Sequence, residues 1–111
     1  MDIEDSVRIR HMIDAAESAL RFVKGRSRAD LDRDEMLHFA LIRAIEIIGE
    51  AASRVSVEAR STSPGVPWPE IIGMRNRLVH AYFDVNLDIL WRTVQDAIPV
   101  LLVQLKTIHL S

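Results

Sequence analysis

The stretch MRNRLVHAYFDVN, residues 74–86, sets Arg75, Asn76, Arg77, His80 and Tyr82 among apolar residues. These side chains can do chemistry together. A guanidinium holds anionic oxygens through charge-assisted hydrogen bonds. An imidazole removes or returns a proton near neutral pH. An amide can orient that imidazole or add a donor to the anion, and a phenol offers a hydroxyl. The set reads either as a site for proton transfer beside an anion or as a buried polar network.

On a single helix with Arg75 at 0°, a step of about 100° per residue puts Ile71, Ile72, Leu78, Val79 and Tyr82 within roughly 60° of it. Arg75 then stands in the middle of an apolar stripe, with Tyr82 two turns away on the same line. Asn76 and His80 form an i, i+4 pair on its flank, and Arg77 points away. A charge on an apolar face needs a partner or a wet cleft. Glu46 or Glu50 of the preceding helix could be that partner, in which case Tyr82 merely packs. Spacing alone decides little, because an arginine also precedes a histidine by five residues at Arg33 and His38. His38 reads as a satisfied core histidine, and His11 and His109 as incidental.

The elements that must position this cluster are helical. Apolar residues recur at three- and four-residue steps, and there is no strand alternation or hairpin dipeptide. The first helix is predicted from Ile3 to Lys24, stopped by Gly25, with RSRAD as a polar linker. The second is predicted from Leu31 to Arg60. Asp30 or Asp32 can cap it, and Asp34 and Glu35 add negative charge in its first turn. Leu37, Leu41, Ile42, Ile45, Ile48, Ala52 and Val55 share one sector, while Met36, Phe39 and Ile47 lie opposite. A helix apolar on both sides suggests a subunit interface beside the core. Gly49 costs helix stability by roughly 1 kcal/mol, so close helix approach is expected there. Residues 61–70 form a loop anchored by Trp68, and Pro69 opens a third helix running to Phe83. A fourth, capped by Asp84 or Asn86, extends to about Leu110, with Pro99 kinking or loosening it. The expected architecture is all-α: one domain over residues 1–111, an antiparallel bundle of four main helices, with one of them either continuous or broken in two.

Apolar residues make up 49% of the 111 and charged residues 27%, which is globular composition. With a net charge of −2, any nucleic-acid contact must come from a local cluster or an assembled cleft. All the basic residues but Lys24 and Lys106 are arginines, which suit phosphate and carboxylate contacts. The absence of cysteine removes disulfides, thiolate metal sites and thiol catalysis. The charged N-terminus and the shortness of the apolar run AIPVLLV point to a cytoplasmic protein with no membrane association.

RNRLVHAY resembles the Arg-x4-6-His signature of the HEPN superfamily, in the Arg-x4-His-x-Tyr form of HepT-type toxins. AIEIIGEAASRVS, PGVPWPEIIGMRNRLVHAYFDVN and LDILWRTVQDAIPVLL follow that pattern in the same order, from about Ala40 onward. The resemblance implies a helical homodimer whose motif helices line a shared cleft. It implies a metal-independent endoribonuclease with no cofactor, and a small nucleotidyltransferase antitoxin able to transfer AMP onto Tyr82. RNA supplies its own nucleophile, the 2′-hydroxyl. Arg75 would hold the scissile phosphate, His80 would move the proton, and Asn76 would orient His80 or bind the phosphate. Arg75 and His80 stand about 140° apart on one helix, so a two-fold cleft offering two copies of each would help. Glu50 is a supporting candidate, and Arg77 or Arg43 could add phosphate contacts. Two other classes stay open: a non-catalytic helical partner of a nucleotidyltransferase, and a structural dimerisation bundle.

Overall fold

Asp2 opens the first helix by accepting a hydrogen bond from the Asp5 N–H at 2.8 Å. Helix α1 runs from Ile3 to Phe22, and Gly25, at φ 74°, turns the chain as expected. The computed structural model describes residues 1–81 and 84–111, with the backbone alone for residues 79–81 and 84.

The predicted second helix is three helices: α2 (Arg28–Arg33), α3 (Glu35–Arg54) and α4 (Val57–Ser61). Side-chain caps make the breaks. Asp34 leaves helical geometry and accepts from the Leu37 N–H at 3.1 Å, so it is the cap of α3 rather than a first-turn charge. Asp30 closes a capping box with Ser27, whose N–H donates to it at 2.7 Å. RSRAD is therefore the start of α2 more than a linker. Val55 is extended, and the Ser56 hydroxyl accepts from the Ala59 N–H at 3.1 Å to start α4.

Trp68 is buried, and its indole N–H donates to the Ser63 carbonyl at 3.1 Å, which fixes the loop corner as expected. Helix α5 (Trp68–Ile72) ends at Gly73, and α6 (Met74–Leu78) follows. The expectation of one helix to Phe83 is corrected here. The backbone leaves helix after Leu78 and forms β1 (Val79–Ala81), which pairs antiparallel with β2 (Asp84–Val85). Val79 faces Val85 and Ala81 faces Asp84, with a bulge between. The Asn86 N–H donates to the Leu78 carbonyl at 2.9 Å and closes this turn.

The Asn86 side chain then accepts from the Ile89 N–H at 3.0 Å and caps α7 (Leu87–Arg92). Thr93–Ala97 is a π-helical turn, and α8 (Ile98–Lys106) continues beyond it. Pro99 has no N–H to donate, and the wide turn just before it is the loosening the sequence predicts.

Helix α1 lies antiparallel to α3. Its Asp5 carboxylate, buried, accepts from both the N–H (2.8 Å) and the hydroxyl (2.7 Å) of Ser56 beyond the far end of α3. Ala15, Ala16 and Ala19 let the two helices approach closely. Ile9 and Met12 meet Leu41, Ile45, Ile48 and Ala52 in the core, joined by Leu90, Val94, Ile98, Leu101 and Leu105 from the last helical run. The result is all-α apart from the small two-stranded ladder, with the broken α5–α6 segment packed on α3. Among the described residues no helix is long and apolar enough to cross a membrane.

Candidate active site

Arg75 does not sit in the middle of the buried face of α6. Met74 and Leu78 hold that face, with Ile71 of α5, and Arg75 lies at its edge with 48% of its side chain exposed. A stripe drawn without Met74 is centred too near Arg75, by most of a residue step.

Arg75 and Asn76 line an open hollow of about 370 Å³ with Ile72 of α5 and with Glu46, Gly49, Glu50 and Ser53 of α3. The wall from α3 follows from sequence: residues 46, 49, 50 and 53 recur at helical spacing and face one side. Gly49 faces the end of α5. A Cβ there would stand 3.4 Å from the Ile71 carbonyl and 3.5 Å from that of Ile72. These are ordinary contact distances, so the backbones are near, but the approach does not require glycine as the sequence suggests.

Glu46 is the acidic neighbour of Arg75, with Nε 3.7 Å from Oε2 and 29% of the Glu46 side chain exposed. That is ion-pair distance but longer than a hydrogen bond. A half-exposed pair so loosely made is worth little and leaves the guanidinium donors available to another anion. Of the two expected partners, Glu46 takes the role, while Glu50 is exposed on the rim of the same hollow.

Arg77 goes elsewhere. Its Nη2 donates to the Glu70 carbonyl at 2.8 Å, and it lines an apolar groove with Met74, Ile98 and Leu101. It is spent on the α5–α6 corner and does not join Arg75. Arg43 also lies outside the Arg75 hollow, in a second hollow between α1 and α3.

Tyr82 and the side chain of His80 lie outside the described residues. The backbone at Val79–Ala81 is extended, so the 140° separation, the Asn76–His80 pairing and the shared line of Arg75 with Tyr82 do not apply; all three assume a continuous helix. His38 is not the satisfied core histidine expected. It is half-buried, its ring tilts against Phe39 with centroids 5.1 Å apart, and among the described residues its Nε2 has no hydrogen-bond partner. Ile72 lies beside Arg75 as the helical spacing predicts, whereas Ser53 was missed by sequence reasoning, and only its spacing from Glu46 and Gly49 signals its side of α3. Among the described residues no three histidines or carboxylates come together as metal ligands.

Comparison with known proteins gives a consistent result. The family model described as Ribonuclease HepT-like matches residues 12–108. A protein of Caldanaerobacter subterraneus subsp. tengcongensis, named "Putative RNase", is 42% identical over 100 residues, covering 90% of this chain and 89% of that one. A "Probable ribonuclease HepT" of Thermococcus cleftensis is 46% identical over 68 residues, 61% of this chain and 62% of the relative. A further protein of Methanocaldococcus jannaschii, also named as an RNase, is 35% identical over 88 residues, 79% of this chain and 81% of that one. No solved structure matches the chain.

Proposed function

The chain belongs to the HepT-like ribonuclease family, and from that premise we propose that it is a metal-independent endoribonuclease acting through Arg75, Asn76 and His80. The observation that carries the reading is the open state of Arg75: half exposed in a hollow beside Asn76, its carboxylate neighbour no nearer than 3.7 Å. A sealed guanidinium could not reach a phosphate.

The RNA 2′-oxygen attacks the adjacent phosphorus, forming a cyclic phosphate, and the P–O bond to the following nucleotide breaks. His80 takes the hydroxyl proton or supplies one to the departing 5′-oxygen, and water makes the other transfer. Arg75 neutralises charge growing on the phosphoryl oxygens, and Asn76 adds a donor or orients the imidazole. A guanidinium and an imidazole supply the charge and proton transfer that this chemistry needs, so metal is not required.

The working unit is a homodimer. Met36 is 83% exposed and Phe39 58% on the outer face of α3, an apolar surface that a second copy would cover. Two copies of the motif at a shared cleft would concentrate positive charge that the monomer, at −2, lacks overall. A small nucleotidyltransferase acts as antitoxin by transferring AMP to the Tyr82 hydroxyl. The added phosphodiester and adenine would repel and block RNA.

Cleavage of RNA by the purified protein in EDTA, compared with His80→Ala, tests the activity. Metal-free cleavage lost in the variant supports it, and equal rates remove His80 from the mechanism. Native mass measurement at micromolar concentration tests the dimer, which a wholly monomeric species would exclude. Mass analysis of Tyr82 after co-expression with the nucleotidyltransferase tests the modification.

A further inference from the structure

Beyond Glu50, on the other flank of α3, lies a second polar hollow. It measures about 160 Å³ and is lined by Arg8 and His11 of α1 and by Arg43, Ile47, Glu50 and Arg54 of α3. Its chemistry is cationic. Three guanidiniums and an imidazole face one carboxylate, in a chain whose overall charge is slightly negative. Among the described residues none of the three arginines makes an ion pair.

The placement follows from the antiparallel α1–α3 pair. Arg8 and His11 share a face of α1 at i, i+3, and Arg43, Ile47, Glu50 and Arg54 recur along α3 at steps of four, three and four. The Asp5–Ser56 hydrogen bonds hold the start of α1 against the end of α3, so these two rows meet in register. Glu50 borders both this hollow and the one at Arg75, so the two adjoin across α3, a helix about 10–12 Å wide.

We infer that the Arg8–His11–Arg43–Arg54 hollow binds a backbone phosphate of the RNA strand to one side of the bond cut at Arg75. This rests on the ribonuclease reading above and extends it to the substrate's flank. Arginine forks suit a phosphodiester's paired oxygens, and several donors can share one phosphate or two successive ones. The cluster is poorly suited to lie at the centre of a two-fold interface. Arg43 and Arg54 would there face their own copies, like charge against like, whereas the apolar Met36 and Phe39 lie toward the other end of the same helix face. A dimer formed through the apolar end leaves the cationic end open at its rim. Glu50, the one carboxylate between the two hollows, would discourage a strand from resting on α3 itself and favour contact at either side.

The test uses the full chain and a single-stranded RNA of about twelve nucleotides carrying 2′-O-methyl groups, which cannot be cut, with binding read by anisotropy across a salt series. Changing Arg43→Gln and Arg54→Gln together should weaken binding about tenfold and reduce the salt slope by about 0.7 for each phosphate no longer neutralised. Arg43→Lys with Arg54→Lys should retain most of the affinity. Arg21→Gln, about 20 Å further along α1 from Arg8, should bind as the parent does. Urea unfolding checks the fold, and either single glutamine variant carries the same test if the pair is unstable. Unchanged affinity and salt slope in the glutamine variants, with a parent that binds RNA, overturn this inference alone. Weakened self-association with unchanged RNA binding also overturns it and assigns the arginines to the interface between copies. A parent that neither binds nor cuts RNA overturns the ribonuclease reading, and this site with it.

Discussion

Arg75 and Arg77 leave the same turn of helix in different directions and enter regions built in different ways. Arg77 closes on the α5–α6 corner, its guanidinium bonded to a backbone carbonyl at 2.8 Å beside an apolar groove. Arg75 stands over an open polar hollow with a carboxylate at 3.7 Å and half its surface in water. Two identical side chains thus have different availability, set by what each finds on arrival. One has a donor committed to holding two short helices together. The other has a neighbour that holds its orientation loosely and leaves its donors open to an incoming anion.

The contrast predicts opposite consequences for the two alanine variants. Arg75→Ala should lower the RNA cleavage rate by roughly 10²–10³-fold, the usual cost of losing a group that stabilises transition-state charge. Its urea midpoint should barely move, since an exposed residue contributes within about 0.5 kcal/mol. A stability loss with unchanged cleavage would reverse the assignment.

The buried tie between α1 and α3 should give the next largest effect. Asp5→Ala leaves the Ser56 N–H and hydroxyl without their acceptor and should cost about 1–3 kcal/mol in urea unfolding. The two Ser56 hydrogen bonds, the hydroxyl's first, hold the Asp5 carboxyl below its ordinary range. A group depressed on folding stabilises the folded state above its unfolded pKa and loses that contribution as pH falls through the folded one. Urea midpoints should therefore drop as pH goes below about 4, and Asp5→Asn should show a smaller drop.

Arg77→Ala should cost about 0.5–1.5 kcal/mol by removing the carbonyl hydrogen bond while leaving cleavage within a small factor of the parent. Glu46→Gln should tighten RNA binding by less than about fivefold, the most a loose exposed pair can withhold. Gly49→Ala should have the smallest effect. The added methyl meets two carbonyls at ordinary contact distance and gains helix propensity, so stability should stay level or rise by up to about 1 kcal/mol. Gly49→Val, with more bulk against the same carbonyls, should lose about 1–3 kcal/mol.

Much of the fold is readable in the residues alone. Long apolar periodicity locates α1, α3 and the last helical run. Gly25, Asn86, Trp68 and Pro99 do what their backbone and side-chain chemistry requires. The misses share a cause. Asp34 and Ser56 are cap residues inside a pattern that stays apolar across them, and periodicity summed over a window passes over a one-residue break. Gly73 interrupts the third helix inside an equally continuous pattern, and Val79 is a residue type that also suits strands. Arg75 is recognisable by type but misplaced by phase when Met74 is not counted on the buried face. The cationic hollow is invisible in sequence for a different reason. Its members come from two helices far apart along the chain, and His11 means nothing until α1 is laid against α3.

The wide turn at Thr93–Ala97 has one more implication. The Ile98 N–H reaches back five residues to the Thr93 carbonyl, so the backbone there carries one residue more than an ordinary turn holds. Removing any one of those five residues would let the run close into regular helix. In regular helix the remaining four residues sweep about 400°, close to the angle the five now cover, so Ile98, Leu101 and Leu105 would keep their bearing on α1 and Val100 and Val103 theirs toward solvent. The wide turn thus takes up one residue without changing the phase of the last helix, and relatives one residue shorter there should keep the same packing through an unbroken helix.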